Sequence, residues 1–180
     1  MTMPTAGTST KSDERRRAIV AAAIDCFAQK GFYGTTTHEI AEWVGISQPY
    51  LYRLYPNKEA LFAAAVDHVS VVMTETLLAH SPASDGVEAA ADAARDAYAA
   101  LVANRAILRF LMHANCATGE PLVERAVRRC YAKQVDTVRQ LLGDDDAVRH
   151  WFGAGMLDNV VTVLGLTDID EPWAHVLSAR

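Results

Sequence analysis

The most constraining feature of the sequence is a three-residue break, Gly45-Ile46-Ser47, between two short segments with helical periodicity. The first segment opens with Thr36-Thr37-His38-Glu39, which has the form of a capping box. The second can be capped by Ser47, carries Pro49 in its first turn, where a missing N–H does no harm, and ends at Pro56. A helix, a three-residue turn and a short helix have the spacing of a helix-turn-helix.

The rest of the chain also has a helical pattern, because glycine and proline fall at segment boundaries and β-branched alternation is absent. We therefore expect an all-α fold of about eight or nine helices. Predicted helices cover about 13–30, 36–45, 48–55, 57–79, 86–103, 105–117, 121–142 and 145–165, with a short ninth helix from about 172. The expected organisation is a flexible tail (1–12), a helix-turn-helix head (13–62, motif about 36–55) and a second helical domain (63–180).

Composition indicates an ordinary globular protein, with 51% hydrophobic and 22% charged residues. Three widely spaced cysteines indicate a reducing compartment and no metal knuckle. The apolar run after the N-terminal arginines meets Asp25 too early for a signal peptide. We expect a cytoplasmic protein with no membrane span, metal or cofactor. The net charge of −5 is unevenly spread, since residues 1–62 hold seven basic and six acidic residues.

One continuous run carries a family resemblance: FAQKGFYGTTTHEIAEWVGISQPYLYRLYPNKEALF, from Phe27 to Phe62. It resembles the DNA-binding head of TetR-family (tetracycline-repressor-type) transcriptional regulators, strongly over about 15–62 and much less beyond. The sequence departs from the family pattern at Pro49, where glycine is frequent, at Leu54-Tyr55, where His-Phe is usual, and at Val44, where alanine is common. We expect Pro49 to alter base preference and the other changes to be core substitutions.

The resemblance implies eight DNA-contacting residues: Thr36, Thr37, Gln48, Pro49, Tyr50, Tyr52, Arg53 and Lys58. The threonines, Tyr52 and Lys58 are expected at phosphates, and Gln48, Tyr50 and Arg53 at base edges, with an apolar contact from Pro49. Other interpretations stay open. Thr36 can be a helix cap only, and Tyr52 and Tyr55 can pack in the core, which is favoured for Tyr55. The arginines at 15–17 either contact DNA or form a solvated helix face.

The second domain carries more apolar surface than a DNA-binding head needs, which is typical of a bundle with a ligand pocket. The helix predicted at 121–142 has an apolar stripe that includes Gln134. The resemblance implies an effector cavity in this domain, although for any single candidate residue a place in the plain core is the favoured interpretation. The candidate lining residues are Tyr98, Phe110, Met112, His113, Asn115, Cys116, Trp151 and Met156.

The helix predicted at 145–165 is apolar nearly all round, because Asp158 is its only charge from Trp151 to Leu166. Such a helix must be buried on several sides, which predicts that one side faces a second copy of the chain. TetR-family members dimerise through their last two long helices, which agrees. The predicted interface residues are Val148, Phe152, Gly155, Asn159 and Val163. Three roles stay open for Asp158: a polar contact in the interface, a polar group in the pocket, or an exposed residue.

No motif predicts an enzyme. The six histidines form no HExxH pattern, and no glycine-rich phosphate loop or nucleophile elbow occurs. The sequence therefore predicts a homodimeric, ligand-responsive regulator that binds a palindromic operator in double-stranded DNA. A repressor released by a small, largely apolar effector is favoured, and an activator would have the same sequence features. The alternative is an all-helical small-molecule-binding protein whose helix-turn-helix does not function.

Overall fold

The structure, a computed structural model, describes residues 11–79 and 87–179. Within these ranges the chain forms nine α-helices, one 3₁₀ turn and no strand, which confirms the expected all-α fold. The elements are α1 (Lys11–Gly34), α2 (Thr37–Val44), α3 (Gln48–Leu54), α4 (Lys58–Ala79), α5 (Val87–Val102), α6 (Arg105–Cys116), α7 (Pro121–Leu142), α8 (Asp145–Leu164), the 3₁₀ turn (Leu166–Asp168) and α9 (Pro172–Ser178). The tail predicted over 1–12 lies outside the described residues, apart from residues 11 and 12, which begin α1.

The predicted caps and turn of the head are present. The Thr36 hydroxyl accepts a hydrogen bond from the Glu39 amide at 3.2 Å, and the Glu39 carboxylate accepts one from the Thr36 amide at 2.9 Å, completing the capping box. Gly45 has φ 70° and ψ 39°, the left-handed conformation that the turn requires. The Ser47 hydroxyl accepts from the Tyr50 amide at 3.3 Å and begins α3. Local sequence therefore decides where α2 ends and α3 begins.

One boundary differs from expectation at Gly31, which was predicted to end the first helix. The backbone kinks there with φ 69° and ψ −179°, and one further helical turn carries the chain to Gly34. The kink turns Phe32 into the core, where it is buried. The Gly31 carbonyl is held by the Thr35 hydroxyl, which donates to it at 2.8 Å.

Four phenylalanines join the head to the second domain. The Phe62 ring of α4 lies with its centroid 4.7 Å from that of Phe27 on α1 and 5.0 Å from that of Phe110 on α6. Phe32 packs against Phe62 at 5.3 Å. Because interiors are close-packed, a shift of α4 or α6 cannot leave the head undisturbed.

The central helix is α4, which packs against α1, α5 and α7. By length and composition alone it could cross a membrane, but 44% of its most apolar stretch is buried inside the structure. The core helix of a globular bundle meets the same two criteria. The middle of α4 is tied to α7 by Arg129, whose guanidinium donates to both carboxylate oxygens of Asp67 at 3.0 and 2.8 Å.

Candidate nucleic-acid interface and interior cavity

Helix α3 is anchored on one side and open on the other. Leu51, only 1% exposed, and the buried Tyr55 hold it to the core of the head. Tyr52 is 42% exposed, so the core interpretation holds for Tyr55 and does not hold for Tyr52. The remaining predicted DNA contacts of α3 face outward. Pro49 and Arg53 are exposed, and Gln48 and Tyr50 are half-buried.

A hydroxyl at the start of α2 organises this surface. Thr37 is 6% exposed, and its Oγ1 lies 2.8 Å from the Tyr52 hydroxyl. The Gln48 side-chain amide donates to the same Oγ1 at 2.9 Å. Two predicted DNA-contacting side chains are thus held in place by a third, which is itself too buried to reach far. Thr37 therefore acts as a positioning residue for Gln48 and Tyr52 in this arrangement.

Positive charge gathers around Tyr50. The Arg53 guanidinium lies 5.2 Å from the centroid of the Tyr50 ring, and that of Arg15 lies 5.9 Å from it. Arg16 lies 6.0 Å from the ring of Tyr55. Guanidinium groups over aromatic faces are favourable contacts that still leave the N–H groups available to other acceptors. Arg15 therefore lies next to α3, and Arg16 next to the residue that caps its C-terminal end.

The two remaining candidates lie at helix starts. Thr36 is exposed, and both its hydroxyl and its amide are hydrogen-bonded to Glu39. A hydrogen bond from the Lys30 ammonium group, helped by the Thr36 amide, lowers the pKa of Glu39 to about 2. Lys58 is half-buried, and its ammonium group donates to the Thr35 carbonyl at 3.2 Å and lies 4.4 Å from the centroid of the Phe32 ring.

A cavity of about 70 Å³ lies in the second domain among α4, α5, α6, α7 and α8. Five of the eight residues predicted to line a pocket do line it: Tyr98, Met112, Asn115, Trp151 and Met156. The other lining residues are Val66, Met73, Leu111, Ala114, Val127, Cys130, Tyr131, Gln134, Phe152, Gly155 and Asn159. None of the lining residues carries a formal charge.

Three predicted lining residues lie elsewhere, and the helical period of α6 explains why. Phe110 belongs to the phenylalanine cluster. The His113 ring packs against α1, where its Nδ1 lies 3.0 Å from the place a Cβ would occupy on Gly31. Cys116 is exposed at the end of the helix. Leu111, Met112 and Asn115 face the cavity instead, so α6 presents different residues to the cavity and to the head.

Polar groups around the cavity are mostly paired. The Tyr98 hydroxyl donates to Asn159 Oδ1 at 2.9 Å, and the Tyr131 hydroxyl donates to Asn115 Oδ1 at 3.2 Å. Burial raises the pKa of the Tyr98 phenol and of the Cys130 thiol, so both groups are uncharged at neutral pH. Among the residues that the structure describes, no group of three His, Cys, Asp or Glu side chains is placed to hold a metal ion.

The five residues predicted as a dimer interface are placed differently. Val148 and Asn159 are buried in the chain's own core, and Phe152, Gly155 and Asn159 line the cavity. Val163 is half-buried and packs against the same core. All five share one face of α8, and that face packs against the chain's own core, so their place at a dimer interface stays a prediction. The opposite face exposes Gly153, Leu157 and Leu164, while Asp158 is half-buried and lies outside the cavity lining.

Comparison with known proteins identifies the head. Residues 19–65 match the family model described as "Bacterial regulatory proteins, tetR family". The head of the chain therefore matches the tetR family model, as the resemblance in the sequence predicts. The HTH-type transcriptional regulator RutR of Escherichia coli strain K12 is 42% identical over 55 residues, which are 31% of this chain and 26% of RutR. The chain thus spans about a quarter of the length of the curated relatives it matches first.

Solved structures extend the likeness to the fold of both domains. FadR from Bacillus subtilis, solved in complex with stearoyl-CoA, superposes with a TM-score of 0.71 over 91% of this chain and 94% of its own, at 14% identity. AibR, solved with isovaleryl coenzyme A and operator DNA, gives a TM-score of 0.69 over 83% and 86%, at 19% identity. At these identities the likeness shows a TetR fold, with an N-terminal helix-turn-helix and a helical second domain.

Some residues of the cavity were missed from sequence. Gln134 could have been found, since it is a lone amide within the apolar stripe of α7. Asn159 was predicted as an interface residue, and the structure places it, buried, at the cavity wall. For Met73 and Val66 of α4, the sequence pattern does not distinguish a residue that lines a cavity from an ordinary core residue.

Proposed function

We propose that the chain is a ligand-responsive DNA-binding transcriptional regulator, acting as a repressor that leaves a palindromic operator when a small, largely apolar effector binds. Residues 13–62 form the DNA-binding domain, and 63–180 the effector-binding and dimerisation domain. The protein would act in the cytoplasm, where its operator lies. The observation that carries the proposal is the outward face of α3, whose polar side chains are held in place by the buried Thr37.

The chemistry of that face suits the major groove. An arginine pairs with guanine and a glutamine with adenine in bidentate geometry, which makes Arg53 and Gln48 the readers of base edges. Pro49 offers an apolar contact to a thymine methyl group. Tyr52 on α3 and Lys58 at the start of α4 are the proposed contacts to phosphates, which flank the groove. The hydrogen bonds among Gln48, Thr37 and Tyr52 reduce the ordering cost of binding, because the side chains are already fixed.

The cavity is the proposed effector site. Two fold neighbours, FadR and AibR, were solved with acyl-coenzyme A ligands, which supports a small-molecule site in this kind of helical domain. In this chain the lining is mainly apolar, with aromatic rings on α5, α7 and α8. Such walls bind apolar molecules by removing their surface from water.

Two helices connect the cavity with the head. Helix α4 begins at Lys58 in the head, and its Val66 and Met73 line the cavity. Helix α6 places Met112 in the cavity and His113 against Gly31 of α1. An effector that fits better in one arrangement of these helices shifts the population toward it and changes the spacing of the two heads in a dimer.

A dimer is proposed through the outward face of α8 together with α9. Leu164 is 60% exposed on α8, and Trp173 and Val176 are exposed on α9. Gly153 leaves room for a second helix to approach closely, since nothing lies within 4 Å of where its Cβ would be. Two heads about 34–36 Å apart would then meet successive major grooves.

Gel retardation with the DNA upstream of the chain's own gene tests the regulator. The folded protein is expected to retain this DNA specifically at moderate salt, and the Tyr50→Ala, Arg53→Ala double variant is expected to lose that retention. Arg128→Ala, an exposed arginine of α7, is the matched control and should bind as the wild type does. Equal retention by the double variant would favour the small-molecule-binding protein, the alternative that the cavity supports.

Light scattering coupled to size exclusion tests the dimer. Leu157→Glu places a charge on the outward face of α8 and is expected to give monomers, because an unpaired carboxylate is costly in an apolar interface. Leu122→Glu, at an exposed leucine at the start of α7, is the control and should remain dimeric. A dimeric Leu157→Glu variant would place the interface elsewhere.

A further inference from the structure

One buried polar atom lacks a partner at the cavity wall. Gln134 of α7 is 2% exposed and lines the cavity. Its amide nitrogen donates to the Ser70 carbonyl and to the Thr74 hydroxyl of α4, both at 3.1 Å. Because a backbone carbonyl only accepts, these contacts determine which end of the amide is nitrogen. Gln134 Oε1 then has no hydrogen-bond partner among the described residues, and it is closed off from solvent.

Such an atom is unusual, since nearly all buried polar groups in folded proteins are hydrogen-bonded. Burying a carbonyl oxygen without a donor forfeits the hydrogen bond that it makes with water in the unfolded chain. The neighbouring polar groups do not supply one. The Tyr98 hydroxyl is directed to Asn159, and the Tyr131 hydroxyl to Asn115. The unpartnered acceptor therefore belongs to a residue that lines the cavity.

The lining also decides what charge a ligand can carry. Within residues 11–79 and 87–179, no lysine, arginine or histidine lines the cavity. A carboxylate or phosphate placed inside would lose its hydration without meeting a counter-ion, which is a large penalty. A cation would meet no carboxylate. An uncharged ligand avoids both costs.

Size and shape restrict the ligand further. A cavity of about 70 Å³ is smaller than the roughly 150 Å³ cavity that admits benzene, so the walls must give way when a ligand enters. Met73, Met112 and Met156 line it, and methionine adapts readily because it is unbranched and flexible. The rings of Tyr98 and Trp151 meet edge to face, with centroids 5.4 Å apart, and offer flat apolar surfaces.

We infer that the effector is a compact, uncharged molecule with an apolar ring and one hydroxyl or N–H group, which donates a hydrogen bond to Gln134 Oε1. The inference rests on the proposed function in that it takes the cavity as the effector site. The same amide is hydrogen-bonded to Ser70 and Thr74 of α4. A ligand bound to its oxygen is therefore one residue away from the helix that reaches the head.

Three probes of similar size test this: phenol, which has a donor, toluene, which has a methyl group in its place, and benzoate, which is anionic. Their dissociation constants are measured by NMR titration of the full-length, ¹⁵N-labelled protein. The ratio of phenol to toluene affinity is expected to fall about tenfold in Gln134→Met, the effect of losing one hydrogen bond to the ligand. Thr74→Val removes a partner of the amide nitrogen only, and it should keep the wild-type ratio.

Benzoate is expected to bind most weakly of the three. A ratio unchanged by Gln134→Met, benzoate binding as tight as that of phenol, or no phenol binding to the wild type would each overturn the inference. If Gln134→Met does not fold, the side-chain amide signal of Gln134 in the wild type decides, because phenol should shift it and toluene should not. These titrations contain no DNA. If the protein does not distinguish the three probes but still retains its operator specifically, only the proposed ligand class is refuted. If it distinguishes the probes but does not retain the operator, only the proposed role as a regulator is refuted.

Discussion

Replacing Gly31 by alanine should destabilise the protein through two separate effects. Its φ of 69° and ψ of −179° lie in a region that is essentially restricted to glycine, and a side chain there costs about 1–3 kcal/mol. The new Cβ would also lie 3.0 Å from Nδ1 of the His113 ring, tighter than nine in ten real Cβ contacts, so the ring would have to shift by a few tenths of an ångström. The residue cannot relax freely, because its carbonyl accepts from Thr35. We expect a loss near the top of that range, about 3 kcal/mol, in the free energy of unfolding in urea.

Two controls separate the strain from the collision. Gly143→Ala, at φ 73° with nothing within 4 Å, carries left-handed strain alone and should cost about 1–2 kcal/mol. In a His113→Ala background, Gly31→Ala should cost less than it does in the wild type, since the colliding ring is gone. The reasoning is refuted if Gly31→Ala costs no more than Gly143→Ala, or if the His113→Ala background leaves its cost unchanged.

Two further predictions concern the head, and a third concerns the ion pair between α4 and α7. The pKa of Glu39 is lowered from 4.5 to about 2, so its contribution to stability is complete above pH 4.5 and is lost as the pH falls toward 2. In urea titrations, Glu39→Gln should therefore have a lower free energy of unfolding than the wild type at pH 7, and this difference should disappear near pH 2. A difference that stays constant with pH would contradict this. Tyr52→Phe loses the hydroxyl contact with Thr37 and should weaken retention of operator and random DNA by similar factors, as phosphate contacts do, whereas a change in sequence preference would assign Tyr52 to bases. Arg129→Ala should reduce stability by less than about 1 kcal/mol, and by still less in high salt, because its ion pair with Asp67 is exposed.

The boundaries of the head were predictable because they depend on neighbouring residues. Thr36 and Glu39 cap one helix reciprocally, Gly45 ends it and Ser47 begins the next, all within a dozen positions. Each of these interactions depends on local backbone geometry. The run from Phe27 to Phe62 likewise carried the resemblance of the head to the TetR family without coordinates, and the family model matches residues 19–65.

The candidate site was predicted less completely, because its contacts join distant parts of the chain. Gln48 and Tyr52 were chosen for contact with DNA, but their shared bond to Thr37 depends on how α2 crosses α3. The unpartnered oxygen of Gln134 appears only when α7 lies against α4.

From its sequence alone, this chain is determined as a series of helices with a helix-turn-helix near the start, because caps, turns and periodicity act over a few residues. Only the tertiary structure decided which way α8 turns. A helix that is apolar nearly all round has no single hydrophobic face to orient it, so packing against α5 and α7 chose the side with Phe152 and Asn159 for the interior and left Leu157 and Leu164 outside.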